Sequence, residues 1–207
     1  EATGKNFKPM SEDELAGELK QEFGEGFEVV TTRHYTICTN SGPAYARWCG
    51  ALFERLMGAF RTHWKTRALD LHDPELPLVA IVFSDAEQFA KFATKDAGPA
   101  VANAKGYYSI RTNRMVLYDL TADGKSDRAV TPAAVNRKIA ASPFNVATVV
   151  HEATHQIAFN CGMHTRYADN PLWLSEGMAM YFETPDLKSR NGWRTVGKVN
   201  AVRLNRF

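Results

Sequence analysis

The sequence predicts an α+β fold, with a mixed-sheet lobe over residues 1–131 followed by a helical lobe over residues 132–207, the two forming one domain. Helix-type and strand-type apolar patterns alternate as far as residue 118, whereas two largely apolar segments after residue 142 have helical spacing. A chain of 207 residues with 44% hydrophobic side chains is long enough to bury one sizeable core or two unequal lobes.

The first four predicted elements are a helix, two strands and a long helix. Ser11 starts a capping box, and apolar residues at helical spacing follow it until Gly24. Two runs rich in β-branched and aromatic residues, FEVVTT and HYTICTN, predict a pair of strands. After Pro43, apolar residues recur three and four apart as far as Lys65, which predicts the long helix.

The next four elements are a buried strand, a short helix and a hairpin. The run LPLVAIVF is apolar without alternation, which is typical of a strand buried on both faces. DAEQFAKFATKDA predicts an amphipathic helix that ends at Gly98-Pro99. GYYSIR and RMVLYDL predict two strands that flank a turn near Asn113.

The remainder of the chain predicts a connection and two helices. Residues 121–141 show no clean period and are predicted to be an exposed connection. Ser142-Pro143 provides a cap and a first-turn proline for a helix that reaches Cys161, and Asn170-Pro171 precedes a second helix.

Composition argues against two classes of partner. The 25 basic and 23 acidic residues give a formal net charge of +2 and are scattered, so the chain lacks the basic stripe of a nucleic-acid-binding protein. No uninterrupted apolar stretch approaches the roughly 18 residues needed to span a bilayer. We therefore expect no nucleic-acid partner and no membrane span.

The cysteines do not decide whether the protein is exported or cytoplasmic. Cys38 and Cys49 are predicted either to form a disulfide or to be two buried thiols, and Cys161 is left over in the first case. The start at Glu1 fits a processed chain or a piece of a longer one, and the apolar tail fits a chain that continues. An exported protein, periplasmic or extracellular, is favoured over a cytoplasmic one.

The segment 143–161 places all its ionisable side chains apart from Cys161 in one motif, HEATH, and contains no Lys, Arg or Asp. His151 and His155 lie four apart on a helix, so both can bind one metal ion, while Glu152 points beside that ion. A zinc ion in such a site lowers the pKa of a bound water, and an adjacent carboxylate can accept the water's proton. A coincidental motif would bury a glutamate and two histidines without partners, which is costly.

Two helical ligands need a third, which we expect from the residues downstream. The candidates are His164, Asp169, Glu176 and Glu183, with Cys161 as a weaker choice. Glu176 is favoured because it is the lone charge within the apolar segment LWLSEGMAMYF. Gly177 beside it is expected to let this helix approach the HEATH helix closely.

HEATH and the glutamate of WLSEGMAMYFE resemble the gluzincin group of zinc metallopeptidases, and more closely its uncharacterised peptidase-MA-like domains. The resemblance covers about residues 146–183. It implies a zincin-like fold, one Zn²⁺ per chain held by His151, His155 and Glu176, and Glu152 as the general base. The metzincin pattern would need Gly and His where this chain has Ala158 and Cys161.

The same resemblance implies further site residues. GYYSIR resembles the edge strand along which gluzincins bind a peptide, so Gly106, Tyr107 and Tyr108 are predicted to contact substrate. The alternative is a hairpin arm with Tyr107 or Tyr108 packed on the core.

Gluzincins also place a Tyr or His on the oxyanion, from a region after the third ligand in well-known members. No Tyr or His follows Glu183 here. The candidates are therefore Tyr181, Tyr167 and His164.

These residues lead to two functional hypotheses. The first is a zinc-dependent metallopeptidase acting on a peptide or protein. The second is a zinc-binding pseudopeptidase or scaffold used for recognition or assembly, which the incomplete set of oxyanion donors keeps open.

Overall fold

The structure, a computed structural model, describes residues 9–121, 129–141, 143–200 and 204. Helices and strands occur in the predicted mixed order, in agreement with the α+β class. The elements are α1 Glu12–Phe23, β1 Glu28–Thr31, β2 Tyr35–Thr39, α2 Pro43–Lys65, β3 Leu78–Phe83, α3 Ala86–Ala97, a short 3₁₀ helix Pro99–Val101, β4 Gly106–Ser109, β5 Arg114–Tyr118, α4 Pro132–Ala141, α5 Pro143–Asn160 and α6 Leu172–Phe182.

The five strands form one mixed sheet in the order β1-β2-β3-β5-β4. The three central strands β2, β3 and β5 are parallel to one another, whereas β1 and β4 pair antiparallel at the two edges. β4 is joined to β5 by a hairpin, so GYYSIR is both a hairpin arm and an edge strand.

Helices cover both faces of the sheet, and β3 supplies side chains to both layers. Ala80 and Val82 point into a core shared with α2, α4, α5 and α6. Ile81 and Phe83 point into a smaller core shared with α1 and α3. This arrangement explains the continuous apolar run of β3, because a strand covered on both faces has no solvent side.

Two local signals in the sequence fix the starts of short helices. The Ser11 hydroxyl accepts a hydrogen bond from the Glu14 N–H, and the Glu14 carboxylate accepts one from the Ser11 N–H, completing the capping box of α1. Asp85 caps α3 by accepting from the Gln88 N–H.

The prediction of an exposed connection over residues 121–141 is wrong for α4. Val135 and Ile139 lie four apart and are both buried against the larger core, but Arg137 and Lys138 stand between them. Two large apolar side chains in ten residues give too weak a period to identify a helix from sequence. The predicted cap at Ser142 lies outside the described residues.

The three cysteines are free and buried, so the buried-thiol alternative describes Cys38 and Cys49. Cys38 belongs to the α1–α3 core and Cys49 to the core on the other face of the sheet, which prevents a bridge between them. Burial raises the pKa of Cys38 and of Cys161 to about 12, which keeps both thiols protonated at neutral pH. None of the described helices is long and apolar enough to cross a bilayer.

Candidate metal centre

Helices α5 and α6 bring His151, His155 and Glu176 together. The Nε2 atoms of the two histidines are 3.2 Å apart, and they lie 3.3 and 3.4 Å from the two carboxylate oxygens of Glu176. Within the described ranges, no other group of three His, Cys, Asp or Glu side chains converges in this way. Of the candidates for a third ligand, the fold therefore brings Glu176 to the histidine pair.

The spacing of these donor atoms fits a tetrahedral zinc ion. Zinc binds nitrogen and oxygen at about 2.0–2.1 Å, and the edge of a tetrahedron with such bonds is roughly 3.3–3.4 Å. Each observed separation is close to that edge length, with the two imidazoles approaching different oxygens of Glu176. With one ligand atom taken from each residue, the three donors lie within 4.8 Å of one another. Two nitrogens and a carboxylate are also the donor types that zinc prefers, so these residues fit the ion that the sequence implies.

The packing of α6 on α5 sets the position of Glu176. The buried face of α6 consists of Ser175, Met178, Ala179 and Phe182. Glu176 lies beside that face and stays partly open, with its side chain 47% exposed. Glu176 is therefore reachable from solvent, whereas His151 is 5% exposed and held in the core.

The role expected for Gly177 is wrong. A Cβ atom at Gly177 would meet no other atom within 4 Å, so the glycine does not allow a close helix approach. Gly177 instead lies on the outer side of α6, where it lines a shallow surface pocket of about 240 Å³ with Trp173 and Tyr181. The small residues that face inward are Ser175 and Ala179.

A buried carboxylate supports His151 from behind. Glu183 is 1% exposed, and its Oε2 accepts a hydrogen bond from Nδ1 of His151 at 2.9 Å. Its Oε1 accepts from the Asn200 amide at 2.9 Å. A proton held on Nδ1 leaves the Nε2 lone pair of His151 facing Glu176 and His155, as a metal ligand requires.

Sequence reasoning named Glu183 only as an alternative third ligand and missed this supporting role. A signal was present in the sequence. Glu183 is the C-cap of α6, where the helix dipole disfavours a negative charge. An acidic residue at the end of an apolar helix therefore indicates a specific partner elsewhere in the fold.

The two imidazoles have opposite electrostatic environments. Burial alone would lower the pKa of His151, but the hydrogen bond to Glu183 and the charges of Glu152, Glu176 and Glu183 outweigh burial and raise it. Burial, with His151 and His164 nearby, lowers the pKa of His155 to about 3. His155 is therefore neutral at physiological pH and has a lone pair to donate.

Glu152 lies beside the three converging side chains and is not one of them. Its Oε2 accepts a hydrogen bond from the backbone N–H of Tyr108 on the edge strand β4, at 2.9 Å. Because Glu152 follows His151 on α5, its carboxylate points toward β4 while the imidazole points toward α6.

The predicted substrate-binding residues of β4 have different surroundings. Tyr107 packs in the α1–α3 core and donates its hydroxyl hydrogen to Asp96, on the opposite face of the sheet from Glu152. Tyr108 faces α5 and stacks on Phe159, with ring centroids 5.8 Å apart. Gly106 lies close to β5, since a Cβ there would meet the Val116 carbonyl oxygen at 3.0 Å.

The three candidate oxyanion donors are spread around the site. Tyr181 packs on His63 and Phe182, on the side of α6 turned away from Glu176. The Tyr167 hydroxyl bonds to backbone carbonyls next to β4, at Ile110 and Arg111.

The third candidate, His164, packs directly on α5. It is 5% exposed, its ring packs 5.1 Å from Phe159, and its Nε2 has no hydrogen-bond partner among the described residues. Burial lowers the pKa of His164, which favours the neutral ring.

Comparison with known proteins gives one match. A family described as proteins of unknown function, DUF1570, matches residues 145–207, less than a third of the chain. The matched segment contains His151, Glu152, His155, Glu176 and Glu183. No curated protein and no solved structure matches the chain.

Proposed function

We propose that this protein is a zinc-dependent metallopeptidase of the gluzincin type, with a zincin-like fold. The observation that carries the proposal is the set of donor separations of 3.2, 3.3 and 3.4 Å among His151, His155 and Glu176. With Glu152 beside this set, the site has a place for one metal ion and a second carboxylate next to it.

Each residue of the proposed site has its own role in peptide-bond hydrolysis. A zinc ion, when bound, supplies a Lewis acid that polarises a water molecule and a carbonyl group. Glu152 accepts the proton of the attacking water and then delivers it to the leaving amine, so the proton balance closes within one carboxylate. Glu183 keeps the proton of His151 on Nδ1.

The edge position of β4 supports a polypeptide substrate. In an antiparallel pair, successive residues turn their N–H and C=O groups alternately toward and away from the partner strand. Tyr108 turns its N–H to Glu152, away from β5, so Gly106 also faces outward. An extended peptide adds to such an edge through main-chain hydrogen bonds.

A second candidate is a zinc-binding scaffold without turnover. One observation favours it: the Tyr181 and Tyr167 hydroxyls that could stabilise an oxyanion are engaged or turned elsewhere. His164 is the remaining candidate, and its Nε2 is enclosed.

Metal analysis and a cleavage assay together decide between these functions. Protein purified without added zinc should contain about one equivalent of metal. It should cleave members of a diverse peptide mixture, and a chelator should abolish the cleavage. One equivalent of zinc without chelator-sensitive cleavage would favour the scaffold, and an absence of bound metal under all conditions would contradict both functions.

A further inference from the structure

We propose that Tyr108, Asn113 and Asn160 form a clamp that positions the base Glu152 against the edge strand. This hairpin clamp rests on the proposed function, because its purpose is to orient the carboxylate that accepts the proton. The three residues are positioning residues and do not touch the reacting atoms.

The centre of the hairpin clamp is a reciprocal pair of amides. Asn113 donates from Nδ2 to Oδ1 of Asn160 at 2.8 Å, and Asn160 donates from Nδ2 to Oδ1 of Asn113 at 2.9 Å. Asn113 lies at the turn between β4 and β5, with a left-handed φ of 58°. Asparagine tolerates this backbone conformation better than most residues, so one side chain serves both the turn and the clamp.

Tyr108 connects the amide pair to the base. Its hydroxyl donates to Oδ1 of Asn113 at 2.7 Å, and its ring stacks on Phe159 of α5. Its backbone N–H donates to Oε2 of Glu152 at 2.9 Å. The same residue is therefore held at its side-chain end by the hairpin turn and presents its main chain to the base.

A second amide fixes the same turn to α5. Gln156 donates from Nε2 to the carbonyl oxygens of Val79 and Asn113, both at 3.0 Å. Glu152, Gln156 and Asn160 are spaced four apart, so they lie along one face of α5. That face contacts the hairpin, whereas the neighbouring face carries His151 and His155.

This arrangement links the position of Tyr108 on β4 to the orientation of the Glu152 carboxylate. If the clamp is loosened, Tyr108 can move with its N–H, and Glu152 loses a fixed hydrogen-bond donor. Misplacing a catalytic group by about 1 Å can cost on the order of 100-fold in rate. His151 and His155 lie on the neighbouring face of α5 and Glu176 lies on α6, so metal binding should be preserved.

The clamp is tested by Tyr108→Phe and Asn113→Gly in the full chain. Glycine keeps the left-handed turn possible while removing the amide. Each variant should lower kcat about 10- to 100-fold, with KM changed less than about twofold and zinc content unchanged. Asn113→Asp keeps the acceptor for Tyr108 and Asn160 but places a carboxylate oxygen against Oδ1 of Asn160, so it should recover only part of the lost kcat.

Tyr45→Phe is the matched control, because Tyr45 is a buried tyrosine of α2 whose hydroxyl accepts a hydrogen bond from the Leu120 N–H, outside the hairpin clamp. It should retain wild-type kcat although it loses a buried hydrogen bond. The proposal is overturned if the clamp variants keep wild-type kcat, if KM alone changes, or if Tyr45→Phe loses as much kcat as they do.

Hydrogen exchange separates this proposal from the proposed function. In wild-type protein the Tyr108 amide should be protected, and this protection should fall in Glu152→Ala and in Asn113→Gly but not in Tyr45→Phe. A protein that cleaves no peptide would contradict the peptidase proposal, and the exchange pattern would still decide the clamp. Equal Tyr108 exchange in wild type and Asn113→Gly would overturn the clamp alone.

Discussion

Glu183 holds His151 through a buried hydrogen bond of 2.9 Å between Oε2 and Nδ1, 32 residues apart in the sequence. The carboxylate lies at the end of α6 and the imidazole in the middle of α5, so the bond joins the two helices that carry the proposed metal ligands. It also keeps the proton of His151 on Nδ1, so that Nε2 is the nitrogen turned toward the proposed metal ion. The proposed zinc site therefore depends on a residue outside the three ligands.

We predict that Glu183→Gln weakens zinc binding by about 10- to 100-fold, as is typical when a carboxylate supporting a metal-bound histidine is removed. The amide can still accept from Nδ1, but it lacks the charge that raises the basicity of the imidazole. Zinc affinity can be measured by competition with a chromogenic chelator. Glu18→Gln, on the exposed side of α1, is the control and should bind zinc like the wild type. Equal affinities in the two variants would contradict a supporting role for Glu183.

Removing the proposed zinc ion should lower the melting temperature, because an ion held by His151, His155 and Glu176 would join α5 to α6 only in the folded state. At a free zinc concentration about 1,000 times the Kd, binding stabilises the folded state by about 4 kcal/mol. For a chain of this size, that corresponds to roughly 8–16 °C. Scanning calorimetry with and without a chelator measures the shift. His155→Ala should melt at one temperature in both conditions, and a wild type indifferent to the chelator would rule out a metal link between the helices.

The stability of the segment after α6 should decrease at acidic pH because of Asp186. Burial alone would raise the pKa of this carboxyl, but hydrogen bonds from the Ser189 hydroxyl and the N–H groups of Arg194, Ser189 and Lys188 outweigh burial and lower the pKa to about 2. The ordinary value is 3.8. Because the folded-state pKa is depressed, the stabilisation is complete above pH 3.8 and is lost as the pH falls toward 2.

Asp186→Asn should therefore reduce the free energy of unfolding by about 1–2 kcal/mol at pH 7. The difference from wild type should shrink between pH 4 and pH 2, as measured by urea denaturation at each pH. A difference independent of pH would show that shape, and not charge, explains the effect of Asp186.

Sequence patterns were sufficient for the elements whose signals are local. Ser11 with Glu14 identified the start of α1, and the unbroken run 78–83 identified a strand covered on both faces. α4 was missed because its burial depends on Val135 and Ile139 contacting a core that only the folded chain provides.

The same distinction applies to the candidate site. His151, Glu152 and His155 lie within one helix, so their relative positions follow from helix geometry alone. The pairing of Asn113 with Asn160 spans 47 residues and joins a turn to a helix. No local pattern marks either asparagine, and Gly177 was given the wrong role because its side of α6 cannot be deduced without the packing of that helix.

Glu152 and Glu176 are neighbouring carboxylates with different surroundings, so replacing each of them should distinguish a base from a metal ligand. Glu152→Gln keeps the size of the side chain but removes the proton acceptor. Zinc content should therefore stay at wild-type level while kcat falls at least about 100-fold. Glu176→Gln removes the anionic donor that lies 3.3 and 3.4 Å from the two imidazoles, so zinc affinity itself should fall.

Excess zinc distinguishes the loss of activity in Glu176→Gln from that in Glu152→Gln. It should restore part of the activity of Glu176→Gln, because occupancy is limiting there, and none of the activity of Glu152→Gln, because its site is already filled. Metal content by mass spectrometry and kcat at rising zinc concentration measure both effects. If Glu152→Gln loses zinc while Glu176→Gln keeps it, the two roles are exchanged, and the convergence of Glu176 on His151 and His155 does not describe the metal site.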